Sequence, residues 1–470
     1  MLSSLVLSVF ATITSLISTS PPALASSSGP APELKRGAFF GAKVSAVPDE
    51  VREKWKLEEG MGAVIEMVFP ESTAEAAGFK TGDVLLTLDG AKIAGAGDTV
   101  QKISARKAGT QMIVEFRRGD TLDKKAITLK GRPFEKSDAY EVEYASVPTR
   151  TGRLRTILTR PKGDGKHPAL FFIQGVGLFS IDNPVGPLAS HRIIVDDFAR
   201  RGFVTLRVDK PGCGDSEGGP ARDVDFDTEL DGYRQALKML KARGDVDADR
   251  VFLFGHSMGG VMAPLLAAEN PVRGIIVYGT IARTWTEYML ENVRRQQELA
   301  DNDPSQVDRD LRVDAALWTH LLLEKMAPRD IVTRYPHLRE RLEQTITEEN
   351  YFVDRSLNFF RQLADKNLGA AWESFGGHAL AIWGKADFVS NEDDHALIAR
   401  IVNRDHPGQG TFVALEGTDH GLNRAATPRE SFQRGQSQEP GQFNPAILEV
   451  CRTWVDKTLS IPANPAKRAG

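Results

Sequence analysis

Cysteine is nearly absent. The two residues in 470, Cys213 and Cys451, are too few for a disulfide framework and too far apart for a metal site. Both fall in segments that a large core would stabilise, so they are expected unpaired and packed. An excess of one charge is lacking too. The 59 basic and 63 acidic side chains leave a net charge of −4, which gives no electrostatic footprint for a nucleic-acid partner. Cofactor and metal signatures are missing. Gly175-Val176-Gly177 and Gly212-Cys213-Gly214 lack the third glycine of a dinucleotide loop, and there is no Walker loop, H-E-x-x-H or C-x-x-C. No cofactor and no metal are expected. Long apolar runs are confined to the start of the chain. Leu5 to Ile17 is uncharged and apolar or small, but short for a membrane span. Pro21-Pro22 break it, and Ala23-Leu24-Ala25 supplies a small-x-small cleavage pattern. A signal peptide over 1–25 is expected, although no Lys or Arg precedes the apolar run. The mature chain would then start near Ser26 with a flexible Ser/Pro/Gly leader over 26–32. It would have no membrane span and a periplasmic or secreted location.

What is present is globular. Charged residues at 26% and hydrophobic residues at 41% exclude disorder, and 470 residues predict two or three domains. Residues 33–132 read as one unit. Ala63–Val68 is a strand, and Pro70–Gly78 holds a short helix with Ser72 as N-cap. Gly82–Gly90 is a strand closed by an Asp-Gly turn. Val100–Arg106 is a second helix, and Gln111–Arg117 alternates as a strand should. The Pro70–Gly78 helix, Gly82-Asp83, Asp89-Gly90 and the Gly109…Glu115-Phe116-Arg117-Arg118-Gly119 ending resemble a PDZ domain of the bacterial type. That resemblance implies a groove in which a protein or peptide C-terminus adds as a strand. Its carboxylate would rest on backbone N–H groups of the loop Ala38-Phe39-Phe40-Gly41, with Phe39, Phe40 and Gly41 as the binding residues. Docking without peptide binding is the other reading of the same unit.

Lys130–Asp138 reads as a linker. Beyond it, over 138–460, apolar strands alternate with amphipathic helices, which predicts a doubly wound, mostly parallel α/β sheet. The expected strands are Tyr140–Val147, Arg153–Arg160, Ala169–Ile173, Phe203–Val208, Val251–Phe254, Gly274–Tyr278, Ala379–Trp383 and Phe412–Leu415. Helices are expected at His191–Arg201, Asp227–Lys241, Val261–Glu269 and about Pro445–Val455. Residues 461–470 read as a tail. Between Gly279 and His378 the alternation stops. About 281–376 has helical period and no strand-like run, with Leu311, Ala315, Trp318 and Leu322 on one face.

Val251-Phe252-Leu253-Phe254-Gly255-His256-Ser257-Met258-Gly259-Gly260 is a strand, a sharp turn and the start of a helix. It carries G-x-S-x-G in the context a nucleophile elbow needs. The flanking glycines leave room for so tight a turn. This elbow, Asp209-Lys210-Pro211-Gly212-Cys213-Gly214-Asp215-Ser216, Gly384…Asp387 and the helical insertion together resemble the α/β-hydrolase family with its cap, over residues 138 to 458. The resemblance implies a serine hydrolase with Ser257 as nucleophile and an acid and a base following in that order. Of the later histidines, His378 begins a strand, His395 falls in a helix and His406 in a Pro/Gly loop. His420 lies just past the last strand, where open sheets place their sites, and is the expected base. Asp387, after the preceding strand, is the expected acid, with Asp419 as rival. The oxyanion hole would use the N–H of Met258 and one from Gln174-Gly175-Val176-Gly177, with Val176 preferred and Gly177 as the alternative. The substrate is then a small acyl compound, a carboxylic ester or thioester. A peptide, as in oligopeptidase-like members, is the runner-up, and a non-catalytic scaffold is the alternative of another class.

Overall fold

The computed structural model describes residues 34–182, 189–437 and 439–462. The expected signal peptide and leader lie outside the described residues, as does the tail beyond 462. The rest divides between Glu135 and Lys136 into two compact units, each with its own core.

In the first unit β1 (Ala38–Phe39) pairs antiparallel with β8 (Lys130–Gly131). The expected linker therefore begins with a strand, one too short to leave a period in the sequence. The main sheet runs β2 (Ala42–Ser45), β3 (Ala63–Val68), β4 (Val84–Leu88), β6 (Gln111–Arg118), β7 (Thr121–Thr128), with β5 (Ala91–Lys92) hydrogen-bonded to β4. Asp89 and Gly90, both at positive φ, make the turn between β4 and β5. Helix α1 (Thr73–Ala76) is capped by Ser72, whose hydroxyl accepts the Glu75 N–H. Helix α2 runs Gly95–Ser104 rather than Val100–Arg106. Its first turn is Gly-Ala-Gly-Asp, a poor helix former by propensity. The Asp98 carboxylate offsets this by accepting the Ala94 N–H at 2.8 Å.

The second unit is built on eight strands in the order β18-β17-β14-β13-β11-β12-β10-β9. These are β9 (Tyr140–Thr149), β10 (Gly152–Pro161), β11 (His167–Ile173), β12 (Val204–Val208), β13 (Val246–His256), β14 (Gly274–Tyr278), β17 (His378–Gly384) and β18 (Gly410–Leu415). β9 and β10 form the antiparallel edge, and β11 to β18 run parallel. Two helices cover one face, α3 (Ser190–Arg200) and α12 (Ala446–Ser460). The other face carries α4 (Phe226–Lys241) and α5 (Met258–Glu269), and the central strands are buried on both sides. That double burial is why the strands read as continuous apolar runs. β13 starts five residues earlier than expected, through the polar Asp247, Asp249 and Arg250. Helix α5 continues through Pro264 to Glu269.

The insertion follows β14. It contains α6 (Trp285–Leu299), α7 (Pro304–Trp318), a π-turn at Thr319–Leu323, two short helices, and α8 (Leu357–Ala364). Thr284 and Glu287 form a capping box at the head of α6. Contrary to the sequence expectation, the insertion holds a hairpin, β15 (Tyr351–Phe352) with β16 (Arg355–Ser356), whose strands are two residues each. The next helix, α9 (Leu368–Glu373), packs on α5 and on α10 (Glu392–Asp405), so it is part of the sheet's own helical cover. The polar stretch 422–444 contains α11 (Pro428–Ser437), held by Phe432 edge-on to Phe388 at 5.4 Å. Helix α12 runs Ala446–Ser460, five residues further than expected. No helix among the described residues is long and apolar enough to cross a membrane.

Candidate active site

β13 ends in a turn so tight that the backbone leaves no room for side chains around it. A Cβ on Gly255 would lie 2.5 Å from the Gly259 carbonyl oxygen, and one on Gly259 would lie 2.1 Å from that of Ile173. Ser257 between them is held at φ 53°, ψ −121°. That left-handed conformation is costly for a residue with a Cβ. It is fixed by the Ser257 N–H donating to Tyr278 O at 2.8 Å. The strain sets Ser257 at the head of α5, where the helix dipole adds positive potential.

Three sequence-predicted residues meet here. His420 Nε2 lies 3.1 Å from Ser257 Oγ, and His420 Nδ1 lies 2.9 Å from Asp387 Oδ2. Asp387 is buried, 1% exposed. It also accepts the Val389 and Ser390 N–H groups at 2.7 and 3.0 Å and the Ser390 hydroxyl at 2.6 Å. Burial pushes its carboxyl up, but the His420 charge and these donors outweigh it and hold the carboxyl well below the usual range. For His420 burial pulls the other way, and the Asp387 carboxylate still raises the imidazole above its ordinary value. The rival Asp419 instead accepts the Asn423 N–H and pairs with Arg434 at 3.3 Å.

Two further side chains fix the loop that carries His420. His256, the second residue of the elbow motif, has Nε2 2.8 Å from the His420 carbonyl. Burial, then the neighbouring His420 charge, push its pKa down to about 4, so it is neutral near pH 7 with Nε2–H donating. Tyr278 OH donates to Asp419 O at 2.6 Å. Neither was singled out in the sequence, because each reads there as an ordinary strand residue. The histidines set aside in the sequence have other roles: His378 starts β17, His406 follows the last residue of α10, and His395 accepts the Thr280 N–H at 3.1 Å.

Val176 and Met258 line one pocket with Ser257. The loop before Val176 lies against the nucleophile, since a Cβ on Gly175 would sit 3.1 Å from Ser257 Cβ. The pocket encloses about 650 Å³ including its mouth. Its walls are mainly apolar: Val261 from α5, Ile281 just after β14, Trp285, Met289 and Phe360 from the insertion, with Asn292 and Gln296 as polar points. Cys213 and Cys451 are free and buried, and burial pushes the Cys213 thiol up to about 12, so it is a packed residue. No group of acidic, His and Cys side chains suited to a metal occurs among the described residues.

In the first unit the loop Ala38–Gly41 has its own geometry. Phe39 belongs to β1, and the Phe40 ring is in the core, edge-on to Phe79 at 5.2 Å. The carbonyls of Phe39, Phe40 and Gly41 accept from Thr73 Oγ1, the Ala74 N–H and the Phe69 N–H. The N–H groups of Phe40 and Gly41 share peptide planes with the first two of those carbonyls and point the opposite way. Neither donates to an acceptor among the described residues.

Comparison with known proteins agrees with both units. Residues 189–422 match the family described as serine aminopeptidase, S33, and residues 40–129 match the PDZ domain. Esterase EstD of Thermotoga maritima is 29% identical over 301 residues, 64% of this chain and 65% of the relative. A Marinomonas protein named "Probable periplasmic serine endoprotease DegP-like" is 32% identical over 96 residues, 20% of each chain. Among solved structures, Est1E from Butyrivibrio proteoclasticus covers 68% of this chain and 99% of its own, at 14% identity and TM-score 0.42. The chain thus spans under two thirds of the length of these curated relatives. The parallel sheet, the elbow and the two family matches identify the second unit as an α/β-hydrolase and the first as a PDZ domain.

Proposed function

We propose that this chain is an exported esterase that cleaves carboxylic esters or thioesters by way of an acyl-enzyme on Ser257. The observation that carries the reading is the hydrogen-bond chain Ser257–His420–Asp387 at the floor of an apolar pocket. His420 takes the Ser257 proton as Oγ attacks the carbonyl carbon, then returns it to the leaving oxygen or sulfur. Asp387 keeps the proton on Nδ1 and stabilises the imidazolium. The N–H groups of Met258 and Val176 hold the oxyanion. Water, activated by the same histidine, releases the acid. The apolar walls favour an alkyl or aryl acyl group over a charged one.

A peptide substrate is the second reading, favoured by the family description serine aminopeptidase and by the PDZ unit. In this unit the free N–H groups of Phe40 and Gly41 would receive a C-terminal carboxylate. Export rests on the N-terminal apolar segment. The test is turnover of acyl esters of graded length beside peptide amides, with fluorophosphonate labelling. Ester turnover and labelling, both abolished in Ser257→Ala, support the esterase. Peptide turnover well above ester turnover favours the second reading, and folded wild type that neither labels nor turns over any substrate overturns both. For the PDZ unit, peptide binding lost on amidating the C-terminus supports the carboxylate site, and for export the check is fractionation of cells expressing the full chain.

A further inference from the structure

Three charged side chains lie buried beneath the loop that carries Val176, and none has a part in the chemistry assigned above. Lys210 follows β12, Glu229 is in α4, and Arg355 comes from β16 of the insertion. Each is at most 1% exposed. Glu229 stands between two cations, with Oε1 3.0 Å from Lys210 Nζ and Oε2 2.7 Å from Arg355 Nη2. The cations also reach two consecutive carbonyls of the loop. Lys210 Nζ donates to Gly175 O, and Arg355 Nε and Nη2 donate to Val176 O at 3.1 and 2.8 Å. The guanidinium lies over the Phe359 ring at 4.4 Å, and that ring meets Phe226 of α4 edge-on.

The geometry of the peptide bond gives these contacts a consequence. A trans peptide is planar, with its C=O and N–H pointing in opposite directions. Gly175 O shares its plane with the Val176 N–H, and Val176 O shares its plane with the Gly177 N–H. Pinning the two oxygens therefore aims the two N–H groups away from the cations. These are the two amides that the sequence offers as the second oxyanion donor. A cation on the carbonyl oxygen also polarises the amide and strengthens its N–H as a donor. Burying three charges is expensive, and an apolar trio of the same volume would pack as well or better. The hairpin that delivers Arg355 is itself strained, with Val353 and Asp354 at φ 48° and 54°. A β-branched residue seldom takes that conformation.

We propose that Lys210, Glu229 and Arg355 form a positioning clamp that presets the oxyanion N–H groups, and that Arg355 ties the geometry of the hole to the seating of the insertion. The inference rests on Ser257 acting as the nucleophile. Arg355 is a positioning residue here, acting through the backbone.

The test uses the full chain with a p-nitrophenyl butyrate substrate and butylboronic acid, which forms a tetrahedral adduct on an active serine. Arg355→Met should lower kcat about 10- to 100-fold, somewhat less than deletion of an oxyanion donor, with KM within about twofold. The inhibition constant for the boronic acid should rise by the factor by which kcat/KM falls, and Arg355→Lys should recover part of both. The neutral variant Lys210→Met/Glu229→Gln/Arg355→Met carries the test if the single variant fails to fold; it should melt close to wild type and still show the loss in kcat. A folded Arg355→Met with unchanged kcat, a rise in KM alone, or a neutral variant with full kcat would overturn the clamp while leaving the esterase intact. A wild type without Ser257-dependent turnover overturns the esterase reading and the clamp together.

Discussion

At the scale of single residues, the proposed mechanism depends on where two protons sit. The Asp387 carboxylate raises the His420 imidazole above its ordinary value, so His420 stays charged to a higher pH than a free histidine. Only the neutral form can accept the Ser257 proton. The expected kcat/KM therefore climbs with pH through a midpoint above about 6.5, the ordinary imidazole value, and then levels. A midpoint at or below that value would contradict the assignment. The same pair affects stability with opposite signs. The His420 contribution is present below the ordinary imidazole pKa and is lost as pH rises through the raised folded value. The Asp387 contribution is present above the ordinary carboxyl pKa and is lost as pH falls through the depressed folded value. Asp387→Asn keeps the shape but would hold the wrong imidazole tautomer, and kcat should fall about 10⁴-fold with little change in KM. Steady-state kinetics on one ester checks both. These three side chains were legible in the sequence because each stands next to a glycine-marked turn at a strand end. Lys210, Glu229 and Arg355 were not. A lone charged residue in a sequence reads as surface, and only the fold shows that these three share one buried spot.

Among the elements, the hairpin β15–β16 is where the sequence says least and the site needs most. Strands of two residues leave no period, and helical patterning on both sides hides the reversal. The strands β11, β13 and β14 were readable for the opposite reason, since burial on both faces fills their central positions with apolar side chains. The start of α2 was missed because a carboxylate cap, not helix propensity, begins it. The hairpin tip has a measurable cost. Val353 lines the pocket while held at φ 48°. Glycine would relieve about 1 kcal/mol of backbone strain there but remove a wall of the pocket. Val353→Gly should therefore leave the melting temperature unchanged or slightly higher. It should also raise KM for medium-chain acyl esters several-fold, with kcat on acetate esters close to wild type. Thermal melts beside a chain-length series read both effects. A clear drop in melting temperature would mean that the Val353 side chain contributes more by packing than its backbone costs.

For the whole molecule, the question is whether the PDZ unit takes part in turnover. Its apolar core draws only on residues between Ala38 and Leu129, and the cores around the parallel sheet draw only on residues from Ala145 onward. Every side chain given a chemical role, and every pocket wall, also lies in the second unit. Separate cores mean that each unit buries its own apolar surface, which is what independent folding requires. A chain starting at Lys136 should then fold, keep the fluorophosphonate label on Ser257, and hydrolyse a small soluble ester with kcat/KM within about twofold of the full chain. Calorimetry of the full chain should resolve two transitions, one of them retained in the shortened form. If the PDZ unit recruits substrates by their C-terminus, the loss appears elsewhere. Turnover of an ester carried on a peptide with a free C-terminal carboxylate should fall with the truncation, while the same ester on an amidated peptide is unaffected. Equal loss on both carriers would mean that the unit supports the fold of the hydrolase. No loss on either would assign its groove to a partner other than the substrate.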